Sequence, residues 1–569
     1  MLSLRFLSYS IVIIATKKLI PFSVFNRRED VNRISEVHFD LVVIGGGVTG
    51  CGIALDAASR GLKTLLVEKE DFASGTSSKS TKLIHGGLRY LKQFEIGLVK
   101  ETGTERAIVH DLAPHLVHPE KMLLPIVKDG TFGKLSASFA IMVYDFLAGV
   151  EGDDKRKTLS LKQTKEAEPL LSDDLLKSGI KYSEYRTDDA RLTIELAKSA
   201  RRYGAEAFNY AEAKDFIYEE GKVVGVDCYD HLNNVSFKVK ATHVVSAAGP
   251  WVDTLRKKDG SQKGKSLHLT KGVHIVLPRE KLPLRQSVYF DAFDGRMIFA
   301  IPRGIVTYLG TSDTNYSDSL DRVVSTIEDA KYLLSTVNKI FPSVDLKVED
   351  VISSWAGLRP LIHEDGKSPS ELSRKDEIFI SDSGLISIAG GKLTGYRKMA
   401  ERVVDKVMKK MPNMKFTPCK TKSIKLTADP FVNYRSVKEY IEKLYEEMKT
   451  LGFEKHDAWY LTTTYGKGAN SILDRLIEDN NPDREAGLID AELWYNLMYE
   501  SVATPVDFFA RRTGRIYFDV ESVKKHMERV AEEIQNTFSW NSDTLSDIHE
   551  ELEDMLEDAT IFYDSETVS

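Results

Sequence analysis

Cysteine is scarce in this chain of 569 residues: Cys51, Cys228 and Cys419 are the three present, far apart and without a CxxC pair or a Cys/His spacing. An odd count cannot close fully into disulfides, so the composition points to a reducing compartment and to no structural metal. Each thiol reads as a small buried hydrophobe. An excess of one charge is also lacking. Against 78 Lys and Arg stand 85 Asp and Glu, a net charge of −7, small for this length and unlike the basic balance of a nucleic-acid binder. Long apolar runs are missing too. The stretch FLSYSIVIIAT between Arg5 and Lys17 falls short of the roughly 20 residues that span a bilayer. The first 28 residues lack Asp and Glu but carry Arg5, Lys17, Lys18, Arg27 and Arg28. Residues 1–37 therefore read as a leader: a transit-like segment, a short interfacial anchor or an extension outside the fold.

What is present is ordinary for a globular protein, 42% hydrophobic and 29% charged, and the length suits two or three domains. Its first clear unit is FDLVVIGGGVTGCGIALDAASRGLKTLLVEKEDF at 39–72. An apolar strand, a glycine turn, a helix with Ile53, Ala54, Ala57 and Ala58 on one stripe, and a second strand form a βαβ unit. Gly45, Gly47 and Gly50 stand in GxGxxG register, and Glu68 ends the second strand. In this setting the glycines admit a pyrophosphate to the helix N-terminus, while the carboxylate accepts from ribose hydroxyls. A carboxylate there opposes a ribose 2′-phosphate, so the ADP part of FAD or NAD fits better than NADP.

Two later stretches repeat the pattern of strand into glycine turn: KVKATHVVSAAGPWVDTL at 238–255 and DSGLISIAGGKLTGYRKMAERVVDKVMKK at 382–410. Together they predict one discontinuous nucleotide-binding domain from 38–95, 186–261 and 351–410. The insertions 96–185 and 262–350 would form a second domain over the cofactor. Between the hairpin strands of KDFIYEEGKVVGVDCYD, Glu220-Gly221 is a predicted turn. Beyond the proline-bearing stretch 411–431 the pattern changes to charged amphipathic helices, a helical C-terminal domain over 425–540. An acidic tail, 541–569, is expected to end as a solvated helix and loose terminus.

Several stretches together resemble one family. The run from DLVVIGGGVTGCG through SGTSSKSTKLIHGGLRYL, followed in order by DDARLTIELAKSARRYGA, SAAGPWVD, TKGVHIVLPR, GTSDT, WAGLRPL and AGGKLTGYRKMAE, is similar to the FAD-dependent glycerol-3-phosphate dehydrogenases, quinone-linked and of bacterial type. YESVATPVDFFARRTGRIYF resembles the end of that family's helical domain. Gly395 stands where the family more often has Thr, and no EF-hand loop follows the helical domain. The resemblance implies an α/β fold: a Rossmann-like FAD-binding domain of the glutathione-reductase and amino-acid-oxidase type, an α+β cap domain for substrate, and an all-helical C-terminal domain.

It also implies oxidation of glycerol 3-phosphate by hydride transfer to the flavin, with electrons passed to membrane quinone. Attachment would be peripheral, at the cytoplasmic face of a bacterial inner membrane; a cytoplasmic protein, a mitochondrial site if the leader is a transit peptide, and a homodimer stay open. For the cofactor the candidates are Gly45, Gly47, Gly50, Glu68, Ser77, Ser78, Thr81, His85, Gly86, Gly87, Ala248, Gly249, Gly391, Lys392, Leu393 and Thr394. A phosphate calls for fixed cations, so Arg89, Arg359, Lys392 and Arg397 are substrate candidates, with Tyr90 and Thr394 as hydroxyl donors. A neutral imidazole suits removal of the alcohol proton, which makes His85 and His274 the candidate bases, and Arg359 is placed to stabilise developing alkoxide charge. Rival readings are a glycerol-3-phosphate oxidase using oxygen, an amine- or 2-hydroxy-acid-oxidising flavoenzyme, and a scaffold whose cofactor is structural.

Overall fold

The computed structural model describes residues 19–85, 96–128, 130, 156–292, 294–363, 375–411, 414–538 and 542–564. The strand His38–Ile44 runs parallel to Thr64–Val67 on one side and to Val235–Ser246 on the other. Leu41, Val42 and Val43 are fully buried, which is why this strand shows no polar alternation. Glu206–Phe208 and Ile386–Gly390 extend the parallel set, and Asp376–Ile380 closes one edge antiparallel. The hairpin Ala211–Glu219 and Lys222–Asp230 grows from Val235–Ser246. Its turn has Glu220 at φ 50° and Gly221 at φ 74°, the double positive-φ geometry that matches strand twist. Helices Val48–Ser59, Asp189–Arg202 and Tyr396–Lys409 cover one face of this sheet.

The other face carries the hairpin and a helix the sequence reading had assigned to the leader, Arg27–Ser35. Val31 and Ile34 are buried under the sheet, Arg27 pairs with Asp230 at 2.8 Å, and Phe22 exchanges backbone hydrogen bonds with Met498 and Ser501. The leader boundary at 37 is thereby corrected. From Leu19 the described chain is part of the fold, and residues 1–18 lie outside the described residues.

A second sheet of ten strands forms the cap. Its centre is Leu267–Pro278, Val306–Gly310, Met297–Arg303, Ser287–Asp291, His118–Val127 and Leu176–Arg186, antiparallel except where Ser287–Asp291 meets His118–Val127. Ser353–Ile362, expected in the nucleotide-binding domain, pairs along Leu267–Pro278 and belongs to this sheet. Conversely, the helix Ile96–Leu112, expected in the cap, packs Val109 and Leu112 into the nucleotide-binding core.

The helical region is only partly separate. Val437, Leu444, Leu461 and Leu473 build its own core. Phe508, Phe509, Val523 and Ile534 share a core with Met122, Tyr308 and Trp355 of the cap sheet. The acidic tail is docked over its described residues: in the helix Ser542–Thr560, Leu552 and Ala559 are buried, Asp558 pairs with Arg322 at 2.7 Å, and Ile327 N–H donates to Tyr563 O. Its acidic face is solvated while its apolar stripe is covered. The loose terminus expected beyond it falls on 565–569, outside the described residues.

Candidate functional site

The glycine turn between His38–Ile44 and Val48–Ser59 opens one end of a cavity of about 550 Å³. Gly45 sits at φ 110°, and a Cβ there would lie 2.6 Å from Ala247 O. Gly47 is the N-cap of the helix and has no side chain to close its free N–H groups, which with the helix dipole suits a pyrophosphate. Gly45, Gly47, Ala248 and Gly249 line the cavity. Gly50 does not; it lets the helix lie against the turn.

Glu68 also lines the cavity. Its carboxylate accepts from Gly46 N–H at 2.5 Å and Glu70 N–H at 3.0 Å, and burial outweighs both bonds and pushes it up to about 7. Because the folded apoprotein holds this proton where the unfolded chain has released it, Glu68 costs the apoprotein stability as pH rises from about 4.5 to 7. A ribose that donates to the ionised carboxylate reverses the preference. Nucleotide affinity is expected to rise about tenfold from pH 6 to pH 8, and Glu68→Gln to flatten that rise; flavin titration of the apoprotein at several pH values measures it.

Beyond Glu68 a loop runs along the cavity wall. Ser77 accepts from Val48 N–H at 3.0 Å, and both Ser77 and Thr81 reach the cavity. Ser78, expected beside them, is buried behind the loop with its hydroxyl turned to Gly75 O. Sequence reasoning missed Lys79, which faces the cavity with no carboxylate at ion-pair distance among the described residues; burial lowers its pKa. Within a run of Ser and Thr it resembles any surface lysine.

His85, Arg359, Gly391, Lys392, Leu393 and Thr394 line the same cavity. Arg359 lies across Gly272 of the neighbouring strand, where a Cβ would sit 2.1 Å from Nη2. So held, the guanidinium donates to Thr311 Oγ1 at 2.5 Å and Ser312 O at 3.2 Å, with Asp313 at 3.4 Å. Gly390 and Gly391, at φ 75° and 84°, turn the chain into Lys392, and Thr394 Oγ1 donates to His85 O at 3.3 Å. Tyr289 and Phe299, stacked across adjacent strands at 4.1 Å, stand beside His85, and Arg296 lines the same cavity. Sequence reasoning missed both rings: SVYFD and MIFAIPR are apolar almost throughout, and the pairing of Tyr289 with Phe299 is what puts them on one face.

Two further expected contacts are corrected. His274 is 1% exposed and stands behind the wall, its ring flat against Trp355 at 4.7 Å and its Nε2 paired with Thr81 Oγ1 at 2.9 Å. Burial, then Arg359 and Lys82, hold it well below the usual histidine range; it reaches the cavity only through Thr81. Arg397 turns away from the cavity into a buried bidentate pair with Glu105, at 2.6 and 2.8 Å. Gly86, Gly87, Arg89 and Tyr90 lie outside the described residues.

The cavity thus joins a nucleotide cradle to a pocket of fixed cations and aromatic rings. Its glycine turn, where a Cβ would fill the space, and the acidic residue behind it fit the ADP half of FAD. Residues 40–397 match the model of the FAD dependent oxidoreductase family, and 419–545 that of the C-terminal domain of alpha-glycerophosphate oxidase. The aerobic glycerol-3-phosphate dehydrogenase of Bacillus subtilis is 48% identical, covering 95% of this chain and 98% of its own; that of Staphylococcus haemolyticus is 46% identical over 95% and 98%. The crystal structure of the Bacillus halodurans glycerol-3-phosphate dehydrogenase complexed with FAD superposes with a TM-score of 0.80 at 44% identity, over 94% of this chain and 98% of that one. The chain belongs to the FAD-dependent oxidoreductases and, among them, to the family of the aerobic glycerol-3-phosphate dehydrogenases.

Proposed function

We propose that this protein oxidises glycerol 3-phosphate to dihydroxyacetone phosphate and passes the electrons to membrane quinone. The observation that supports the reading is that Arg359, Lys392 and His85 line the same cavity as Glu68 and the glycine turn. Planar guanidinium and ammonium groups there match a phosphate, or a phosphate and an adjacent oxygen that gains negative charge. FAD, when bound, supplies the acceptor for the hydride leaving C2 of the alcohol.

The chain's own residues bind, orient and deprotonate. Arg359, braced by Thr311 and Ser312, keeps its geometry as charge builds on the C2 oxygen, so no reorganisation is needed at that moment. Lys392, which lines the same cavity, holds the phosphate. His85, beside the edge of Phe299 at 6.1 Å between ring centroids, is the base for the hydroxyl proton. Tyr289 and Phe299 exclude water from the reacting carbon. The names of the relatives and this set of cavity cations together support glycerol 3-phosphate as the substrate. A carboxylate substrate would use fewer of these cations. Among the described residues no helix is long and apolar enough to cross a membrane; delivery to quinone is proposed at the surface of the bilayer.

The test is anaerobic addition of glycerol 3-phosphate to the purified holoprotein. The flavin band near roughly 450 nm is expected to bleach and to return on adding a soluble quinone. Bleaching with unphosphorylated glycerol at similar concentration would transfer the reading to another alcohol. Rapid return of colour with oxygen alone, with peroxide formed, would make oxygen the acceptor.

A further inference from the structure

The cavity loop is held at both of its ends, and one of the clamps comes from the helical C-terminal domain. Asp71, three residues after Glu68 and 0% exposed, starts the loop that continues through Ser74, Thr76 and Ser77 along the cavity. Arg512 grips its carboxylate in bidentate fashion, Nη1 to Oδ2 at 2.6 Å and Nη2 to Oδ1 at 2.9 Å; Arg511 Nε adds a bond to Oδ2 at 2.6 Å, and Asn209 Nδ2 one to Oδ1 at 3.0 Å.

Neighbouring side chains on a helix ordinarily diverge. Here Asp507–Arg512 forms a π-helical turn, a form that departs from regular helix spacing and is often found at functional sites, and both guanidiniums reach the same carboxylate. Asp507 in turn fixes Arg511 at 2.6 Å and accepts from Tyr210 OH at 2.7 Å and from Ala503 and Thr504 N–H. Asp71 O then accepts from Ser74 N–H, and Ala73, at φ 66°, donates its N–H to Gly46 O in the glycine turn. The clamp thus reaches the cradle through three residues of chain. At the loop's other end the clamp is internal: Asp189 binds Lys82 Nζ at 2.6 Å and Ser80 N–H at 2.9 Å.

We infer that Arg511 and Arg512 of the helical domain are positioning residues for the cofactor, holding Asp71 so that the loop 71–79 is set for FAD before it arrives. They touch neither cofactor nor substrate. Their effect reaches the cavity through Asp71, which makes retention of FAD a function of the helical domain. Preorganisation of this kind lowers the ordering cost of binding, so it appears in FAD affinity and not in the chemistry of the saturated enzyme.

A purely structural ion pair would also stabilise the seam, so the experiment compares two breaks in it. Glu500 pairs through its side chain with Arg191 and Lys198, the latter at 2.8 Å, while Arg512 uses only its backbone oxygen. Glu500→Gln therefore weakens the same seam and leaves the hold on Asp71. Apoproteins of wild type, Asp71→Asn, Arg512→Lys and Glu500→Gln are titrated with FAD by flavin fluorescence, at a temperature where circular dichroism shows each folded. Asp71→Asn is expected to raise the FAD Kd by about 30-fold and Arg512→Lys by about 10-fold, with Glu500→Gln within about threefold of wild type. With FAD saturating, KM for glycerol 3-phosphate should stay within about twofold in all of them. Equal effects of Asp71→Asn and Glu500→Gln on FAD Kd would overturn the inference. If Asp71→Asn does not fold, Arg512→Lys decides, and an unchanged FAD Kd in that variant overturns it as well.

Discussion

Arg359→Ala is expected to lower kcat/KM for glycerol 3-phosphate by about three orders of magnitude, close to 4 kcal/mol of transition-state binding, while FAD stays bound. The size follows from the setting. The guanidinium is about four-fifths buried, fixed by Thr311 and Ser312, and lies flat over Gly272. A charge-assisted contact held this rigidly, away from bulk water, is worth more than one that must be organised during the reaction. Arg359→Lys is expected to recover little, because an ammonium neither spreads over Gly272 nor reaches two oxygens at once. Gly272→Ala should reproduce part of the loss with Arg359 intact, since a methyl group would occupy the space of Nη2. Steady-state kinetics with a flavin absorbance measurement on each variant decides it. If Arg359→Ala kept kcat/KM within tenfold of wild type, the anion would be held elsewhere.

What the sequence made legible was the part whose physics is local. An apolar strand running into a glycine turn is forced to be buried and to approach a ligand, so Gly45, Gly47 and Glu68 could be placed on the cavity wall from spacing alone. The glycine turn at 390–391 was found in the same way, whereas the loop 74–87 was placed beside the cofactor by the family resemblance. What escaped depends on partners far along the chain. Arg27 looks like part of a basic leader until Asp230, 203 residues away, neutralises it. Asp71 is one acidic residue in a loop until Arg512 arrives from 441 residues further on.

Two candidates failed for another reason. In GVHIVLP, His274 alternates with apolar residues, and alternation fixes only which face a side chain takes. Here that face meets Trp355 and the back of Thr81. Arg397 has the sequence position of a helix-surface or site residue, and Glu105 takes it. The strand Ser353–Ile362 falls in the range expected for the nucleotide-binding domain, yet its hydrogen bonds are made to Leu267–Pro278. Pairing partners in a sheet are chosen by tertiary structure, and a single strand's pattern does not name them.

Gly50→Ala is expected to yield a protein that retains no FAD through purification, although the residue never meets the cofactor. A Cβ at this position would stand 1.8 Å from Gly45 O, and a backbone carbonyl has no rotamer by which to yield. The helix Val48–Ser59 must lift from the turn by roughly an ångström, and its N-terminus moves with it. Misplacement of that order costs about 10²-fold where geometry matters, and the overpacking itself costs about 1–3 kcal/mol. The ratio of absorbance at the flavin band to that at the protein band, with thermal unfolding of the apoproteins, separates the two effects. Gly61→Ala is the contrasting control: unlike Gly50 it carries a positive φ, 91°, and its Cβ would meet nothing within 4 Å. That variant is expected to lose about 1 kcal/mol from backbone strain and to remain fully yellow. A yellow Gly50→Ala protein with wild-type FAD content would show that the helix can shift without harm, and that the cradle does not depend on this contact.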